Sequence, residues 1–263
     1  MLVENSIKRL ISIGKTPGIR VTLTDHNQNR IVESIDYLKK LGIRSAAFIP
    51  MEIPFYLEDN IAQLATDPEI VYNEYIRAYE YTYRLYCNEG YAFHLLPITM
   101  ILEGVMSGGR FQGCGMGRGF FSIGTSGNIH SCQRVRTDEF YIGNIYDNDI
   151  FYKLDNVPES KKGNSVLSAL LSERTTDVKG NSCANCEVLA FCAGGCAAAA
   201  WAQFKDKDIG SPNINDSMYH EKCYYTKKLI KRLFWDYIER PKKDDKYFKY
   251  LSTIAPIRRN FWM

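Results

Sequence analysis

The chain has 263 residues, 45% of them hydrophobic and 24% charged; this is the profile of a globular protein of one large or two modest domains and excludes a disordered chain. A net charge of +3 spreads no broad basic field for nucleic acid, so no nucleic-acid partner is expected. No stretch approaches the roughly 20 apolar residues of a membrane span, and the opening MLVENSIKRLISIGK reads as an amphipathic helix and not as a secretory leader. A cytoplasmic location with no membrane contact follows as the expectation. Thiols stay reduced there, so the eight cysteines point to metal binding or catalysis rather than to disulfides.

In chain order, Ile7, Leu10 and Ile11 give residues 3–14 helical spacing. IRVTLTD (19–25) reads as a buried strand, and Asn27 or Asn29 is placed to cap the helix RIVESIDYLKKLG, which Gly42 ends. IRSAAFIPM (43–51) is a second strand. Two strands joined through a helix with short links form the βαβ pattern of a parallel sheet. After a loop containing Pro54 and Pro68, residues 69–90 form a helix on which Tyr72, Tyr75, Tyr79, Tyr83 and Tyr86 recur every three or four positions. Such a stripe is read as a packed face and not as a ligand surface. Cys87, in the last turn, reads as an inert buried thiol.

From about residue 108 the texture becomes glycine-rich, which marks irregular backbone. FFSIG and NIHSC flank the turn Thr125-Ser126-Gly127 as a β-hairpin. Helical segments are expected near 148–154 and 160–172, from AAAAWAQF onward, and over 217–239. The basic residues after that (Lys242, Lys243, Lys246, Lys249, Arg258, Arg259) read as a solvated face. Asp138 and Glu139 read as surface charges.

Seven cysteines fall into one pattern. Cys114 is followed by twelve residues, Gly127, four residues and Cys132; then come Cys183-x2-Cys186-x5-Cys192-x3-Cys196 and, after a gap, Cys223. Short spacings turn successive sulfurs toward one centre, and distant cysteines close the site. Seven ligands exceed one tetrahedral site and fall one short of two. Structural zinc uses the same Cys-x2-Cys spacing, but zinc ribbons repeat paired cysteines and this chain does not. A thioredoxin-like Cys-x2-Cys lacks its preceding strand. His130, two residues before Cys132, would share its strand face; it is read as a hairpin residue, with ligation as the alternative.

This run resembles the SPASM domain, the auxiliary-cluster module of radical S-adenosylmethionine enzymes that modify peptides and proteins, whose signature is C-x(9–15)-G-x4-C, C-x2-C-x5-C-x3-C and a final C. The resemblance spans about residues 108–240. It implies a first auxiliary [4Fe–4S] cluster on Cys114, Cys132 and Cys196, with one position open, and a second on Cys183, Cys186, Cys192 and Cys223. Residues 16–51 more weakly resemble the late strands of the six-unit radical S-adenosylmethionine barrel, with Arg20 near the cofactor site. The expected fold is thus a partial-barrel remnant of α/β class (1–107), an irregular α+β iron–sulfur domain (108–240) and a tail (241–263). The family's Cys-x3-Cys-x2-Cys loop is missing: after Cys192-x3-Cys196 the next position in register is Ala199. The chain therefore reads as the second half of such an enzyme, with S-adenosylmethionine bound only if the other barrel half is supplied. The family analogy implies a peptide or protein substrate and an electron donor such as a flavodoxin or ferredoxin. Sulfatase-maturing members place an aspartate where Gln133 stands, which argues against that activity. The alternatives are a non-catalytic iron–sulfur or peptide-binding accessory and a zinc-stabilised binding module.

Overall fold

The computed structural model describes residues 2–51, 64–109, 116–117, 120–157, 186–192 and 217–255. The expected helix over 160–172 and the one from AAAAWAQF lie outside them. Two compact units form, one from residues 1–109 with 217–263, the other from 110–216.

In the first unit α1 (Leu2–Ser12) precedes β1 (Ile19–Leu23), α2 (Ile31–Lys40), β2 (Ser45–Pro50), α3 (Pro68–Glu89), β3 (His94–Leu96) and α4 (Ile98–Met106). The strands form a parallel sheet in the order β1-β2-β3. The third strand is absent from the sequence reading, which finds two. It is three residues long, too short for an alternating pattern, and Pro97 follows it directly. In the second unit β4 (Ser122–Ile123), β5 (Asn128–His130) and β6 (Tyr141–Asn144) form an antiparallel sheet, followed by α5 (Ile150–Asp155) and the single turn α6 (Leu189–Cys192). α7 (Ser217–Glu239) packs on α3 and α4 of the first unit, and α8 (Asp245–Ile254) packs on α3.

The parallel sheet is covered on one face. Leu23, Ala46, Phe48, Pro50 and Leu95 are buried with Ile31, Ile35 and Leu38 of α2 and Val71, Tyr75 and Ala78 of α3. Tyr75 Oη donates to the Phe48 carbonyl at 2.5 Å, tying α3 to β2. On the opposite face Arg20 and Thr22 are exposed, and Ser45, Ala47, Ile49, His94 and Leu96 are half-buried.

Gly42 ends α2 with φ +81°, as expected from its freedom in the left-handed region. The start of α2 differs from the sequence reading. Its N-cap is Arg30, without a side-chain cap. Neither Asn27 nor Asn29 caps it. Asn27 instead closes the end of β1, accepting from Thr24 N at 2.7 Å and donating to the Thr22 carbonyl at 3.1 Å. The cap comes from 43 residues downstream: Glu74 Oε1 accepts from Ile31 N at 2.8 Å and from Val32 N at 3.3 Å. Short-range patterns do not reveal a cap of that range.

The tyrosine stripe of α3 is a packed face, as its spacing predicts. Tyr75, Tyr79 and Tyr83 are buried, with Tyr247 and Tyr250 of α8. Tyr79 and Tyr247 share a hydroxyl hydrogen bond, Tyr250 pairs with Thr82 Oγ1 at 2.8 Å, and Tyr83 donates to the Asp244 carboxylate. Arg240 lies over the rings of Tyr83 and Tyr247, 4.5 and 4.7 Å from their centroids, and grips both Glu80 oxygens at 2.8 Å. Burial holds the five phenols protonated above their ordinary range. Unfolded phenols ionise near ~10, so this contribution to stability is intact below about pH 10 and declines as pH rises past it. In an alkaline absorbance titration these five phenols are expected to ionise only as the unit unfolds. Ionisation of every tyrosine in one step near ~10 with native circular dichroism would contradict this packing.

Candidate metal centre

The hairpin that carries Cys132 is built around the glycine of the cysteine pattern. Gly127 has φ +82°, a region closed to most side chains, and an added Cβ would stand 2.9 Å from Ile145 Cγ1 and 3.0 Å from Asn144 Oδ1. Its carbonyl accepts from Ile145 N at 3.0 Å. Asn144 closes the turn by donating from Nδ2 to the Ser126 carbonyl at 3.1 Å and to Asn128 Oδ1 at 2.8 Å. The turn fixes the register of β5, and β5 leads into Ser131 and Cys132.

Cys132 is buried, 7% exposed, and forms a β-bridge with Val135. The Arg134 backbone N–H points at its Sγ, 3.4 Å away. Such a bond favours the thiolate over the thiol and is the kind that tunes a sulfur ligand. Gly117, three residues past Cys114, donates to the Ser131 carbonyl at 3.2 Å, which lays that strand of chain beside Cys132's neighbour. His130 packs edge-on against Tyr141 with ring centroids 5.6 Å apart. Gln133 and Asp138 are exposed.

Cys186 lies three residues before the turn α6, and Cys192 is its last residue. The Cys186 carbonyl accepts from Leu189 N at 3.0 Å, and the carbonyl of Val188, a buried residue, accepts from Phe191 N and Cys192 N at 3.0 and 2.9 Å. Both cysteines are half-buried. Cys223 is half-buried on α7, in the first unit. Cys87 is half-buried too, and so is not the buried thiol that the sequence suggests; the end of α3 leaves it at the margin of the tyrosine core. Cys114, Cys183 and Cys196 lie outside the described residues. Among the described residues no three His, Cys, Asp or Glu side chains gather as a metal site.

A second region of interest is the carboxyl end of β1. In open parallel sheets ligands settle outside the carboxyl ends of the strands. Asp25 lies there, with Oδ2 3.2 Å from His26 Nδ1 and Oδ1 buried without a hydrogen-bond partner among the described residues. Arg20 stands exposed on the open face of the same strand, in register with Ala47. Sequence patterns have no means of marking Asp25: the signal is an oxygen that is buried without a partner among the described residues, and burial exists only in the fold.

No family model matches the chain. No curated protein matches it either. Solved structures do. The structure of native anSMEcpe with bound AdoMet superposes with a TM-score of 0.63 at 18% identity, over 88% of this chain and 60% of that one. The same enzyme with bound AdoMet and the Kp18Cys peptide gives 0.62 at 18% identity, over 88% and 61%. A polyhistidine-tagged form with AdoMet matches over 95% of this chain at 0.63 and 18% identity, covering 61% of its own length. The matched protein is an anaerobic sulfatase-maturating radical S-adenosylmethionine enzyme.

The chain shares the fold of the anSMEcpe structures over most of its length. At this identity the likeness is one of fold alone, and the chain spans about 60% of the length of the structures it matches. It is a mixed α/β fold with a parallel sheet. No helix among the described residues is long and apolar enough to cross a membrane.

Proposed function

We propose that this chain is the auxiliary-cluster-bearing part of a radical S-adenosylmethionine enzyme that modifies a peptide or protein. The observation that carries the reading is the full seven-cysteine spacing on a chain of this fold. Residues 1–107 are taken as late βα units of the partial barrel, and residues 108–240 as the span of the cluster cysteines. Cys114, Cys132 and Cys196 are assigned to one [4Fe–4S] cluster, and Cys183, Cys186, Cys192 and Cys223 to the other. The donor chemistry fits. Cys132 offers a buried sulfur that already accepts a backbone N–H, and the Val188-anchored turn presents Cys186 and Cys192 from its two ends. When bound, such clusters supply one-electron redox capacity, with potentials set by hydrogen bonds to sulfur and by exposure.

At the barrel end, Arg20 is the residue proposed to face the cofactor. A guanidinium on an exposed strand face and an Asp25 oxygen at the strand's end, buried without a hydrogen-bond partner among the described residues, fit a polar, charged ligand. S-adenosylmethionine binding belongs to the assembly completed by a Cys-x3-Cys-x2-Cys half. The proposed substrate class is a peptide, in line with the peptide held in one matched structure, and Gln133 after Cys132 argues against sulfatase maturation. A flavodoxin or ferredoxin is the proposed electron donor.

Anaerobically purified and reconstituted protein is expected to hold about eight irons and about eight sulfides per chain, with brown colour and a spin-resonance signal on reduction. About two zincs and no iron would overturn the reading in favour of a structural binding module.

A further inference from the structure

The corner between β6 and α5 carries apolar surface that its own packing does not use. Ile150 and Val157 are buried and Leu154 is half-buried, at helical spacing, and Ile150 Cδ1 lies 3.0 Å from where a Cβ on Gly143 would stand. These residues supply the inward stripe of α5. Phe151 and Tyr152 are turned about 100° and 200° away from Ile150, and are 79% and 71% exposed. Tyr146, in the turn before the helix, is 83% exposed, and Ile145 is exposed beside it. Exposed apolar side chains scattered singly are ordinary; this run between residues 145 and 152 is a cluster. The corner is also tied in place. Tyr146 N donates to Asn144 Oδ1 at 3.1 Å, and Asp147 Oδ2 accepts from Asn144 N at 3.0 Å and from Lys153 Nζ at 2.9 Å. Rings presented by bonded backbone lose little freedom when something binds them.

Charge selects the occupant. Residues 145–155 hold the carboxylates of Asp147, Asp149 and Asp155 against one cation, Lys153, which is engaged by Asp147 at 2.9 Å and Asp149 at 3.0 Å. Asp155 is exposed and forms no ion pair among the described residues. It ends α5, where a negative charge opposes the helix dipole, so the helix gains nothing from it. Elsewhere the chain shows what completes such a set of rings and carboxylates. Lys228 Nζ lies 4.5 and 4.7 Å from the ring centroids of Tyr72 and Tyr224 and bonds both Glu69 oxygens. Arg240 does the same with Tyr83, Tyr247 and Glu80. Each set is closed by one cation over two rings. At the β6–α5 corner the rings and carboxylates are present, and among the described residues no cation stands over Tyr146, Phe151 or Tyr152. We propose that this corner docks a lysine- or arginine-bearing segment of a polypeptide, whose cationic heads lie on these rings and pair with Asp149 and Asp155 while their alkyl stems cover Ile145. A second copy meeting the corner across a twofold axis would oppose the carboxylates to themselves, and they repel the phosphates of nucleic acid and of anionic lipid. The inference rests on the reading above only in taking the docked segment as a recognition stretch of the peptide substrate.

The probe is a short fluorescein-labelled peptide of alternating arginine and leucine, with a glutamate–leucine peptide as control, titrated with the full reconstituted chain and followed by anisotropy. The arginine peptide is expected to bind, more weakly as salt is added, and the glutamate peptide not to bind. Phe151→Ser combined with Tyr152→Ser changes exposed positions and keeps the circular dichroism; it is expected to weaken binding about 10-fold. Asp155→Lys, which removes a charge that α5 does not use, is expected to weaken it by a similar factor and to flatten the salt dependence. No binding, equal binding of the two peptides, binding indifferent to these substitutions, or a homodimer of the chain dispersed by them would each overturn the proposal. The iron content of the same samples separates the two readings. If an iron-loaded chain fails to bind the arginine peptide, the docking inference alone fails; if an iron-free chain binds it with the expected response to substitution, the cluster assignment alone fails.

Discussion

Glu74→Ala is expected to lower the unfolding free energy of the first unit by about 3 kcal/mol. The carboxylate is 5% exposed and makes four bonds at once. Two of them satisfy the first backbone N–H groups of α2, which have no partner within the helix. The negative charge also sits at the positive end of the α2 dipole. The other two bonds hold Arg77, whose Nε is 2.7 Å from Oε2 and whose Nη2 reaches the Asn29 carbonyl at 3.1 Å. Alanine would strand both N–H groups in a closed setting and leave a void beside them. Glu74→Gln keeps an acceptor for α2 and loses the charge, so about half the effect is expected. Urea unfolding with unchanged slope would measure both. A change of less than ~0.5 kcal/mol for Glu74→Ala would mean that water replaces the cap, and that α2 is not tied to α3 through this residue.

What the sequence discloses of this fold is what repeats. The βαβ pattern, Gly42 as the end of α2 and the tyrosine face of α3 all follow from periods of about two or 3.6 residues and from left-handed glycine, and the structure has each of them. What stays hidden is short or distant. β3 is three residues long and β6 four, below the length at which alternation declares itself. Glu74 lies in the middle of a helix with nothing nearby to show that it serves another helix. The same division holds at the candidate site. Cysteine spacing names the proposed ligands without saying how the backbone presents them. The bond from Arg134 N to Cys132 Sγ and the burial of Asp25 Oδ1 without a partner among the described residues appear only in the folded chain.

Gly127→Ala is expected to destabilise the second unit by about 2–4 kcal/mol, because the substitution combines a strained backbone with a steric clash. At φ +82° an L side chain is disfavoured before any neighbour is considered. The added Cβ would also stand 2.9 Å from Ile145 Cγ1 and 3.0 Å from Asn144 Oδ1. Neither neighbour yields easily: the Ile145 amide is bonded to the Gly127 carbonyl, and the Asn144 side chain is bonded to Ser126 and Asn128 across the turn. Gly124 provides the control within the same hairpin. Its Cβ would meet the Asn128 carbonyl oxygen at an ordinary 3.6 Å, and it needs no left-handed backbone, so Gly124→Ala is expected to change stability by less than ~1 kcal/mol. The hairpin sets the register that brings Cys132 to its buried place. Under the proposed assignment Gly127→Ala should therefore cut iron to about four per chain, one cluster of the two, while Gly124→Ala keeps about eight. Equal iron in both variants would separate the glycine's part in folding from any part in holding metal. It would leave its place in the cysteine pattern explained by turn geometry alone.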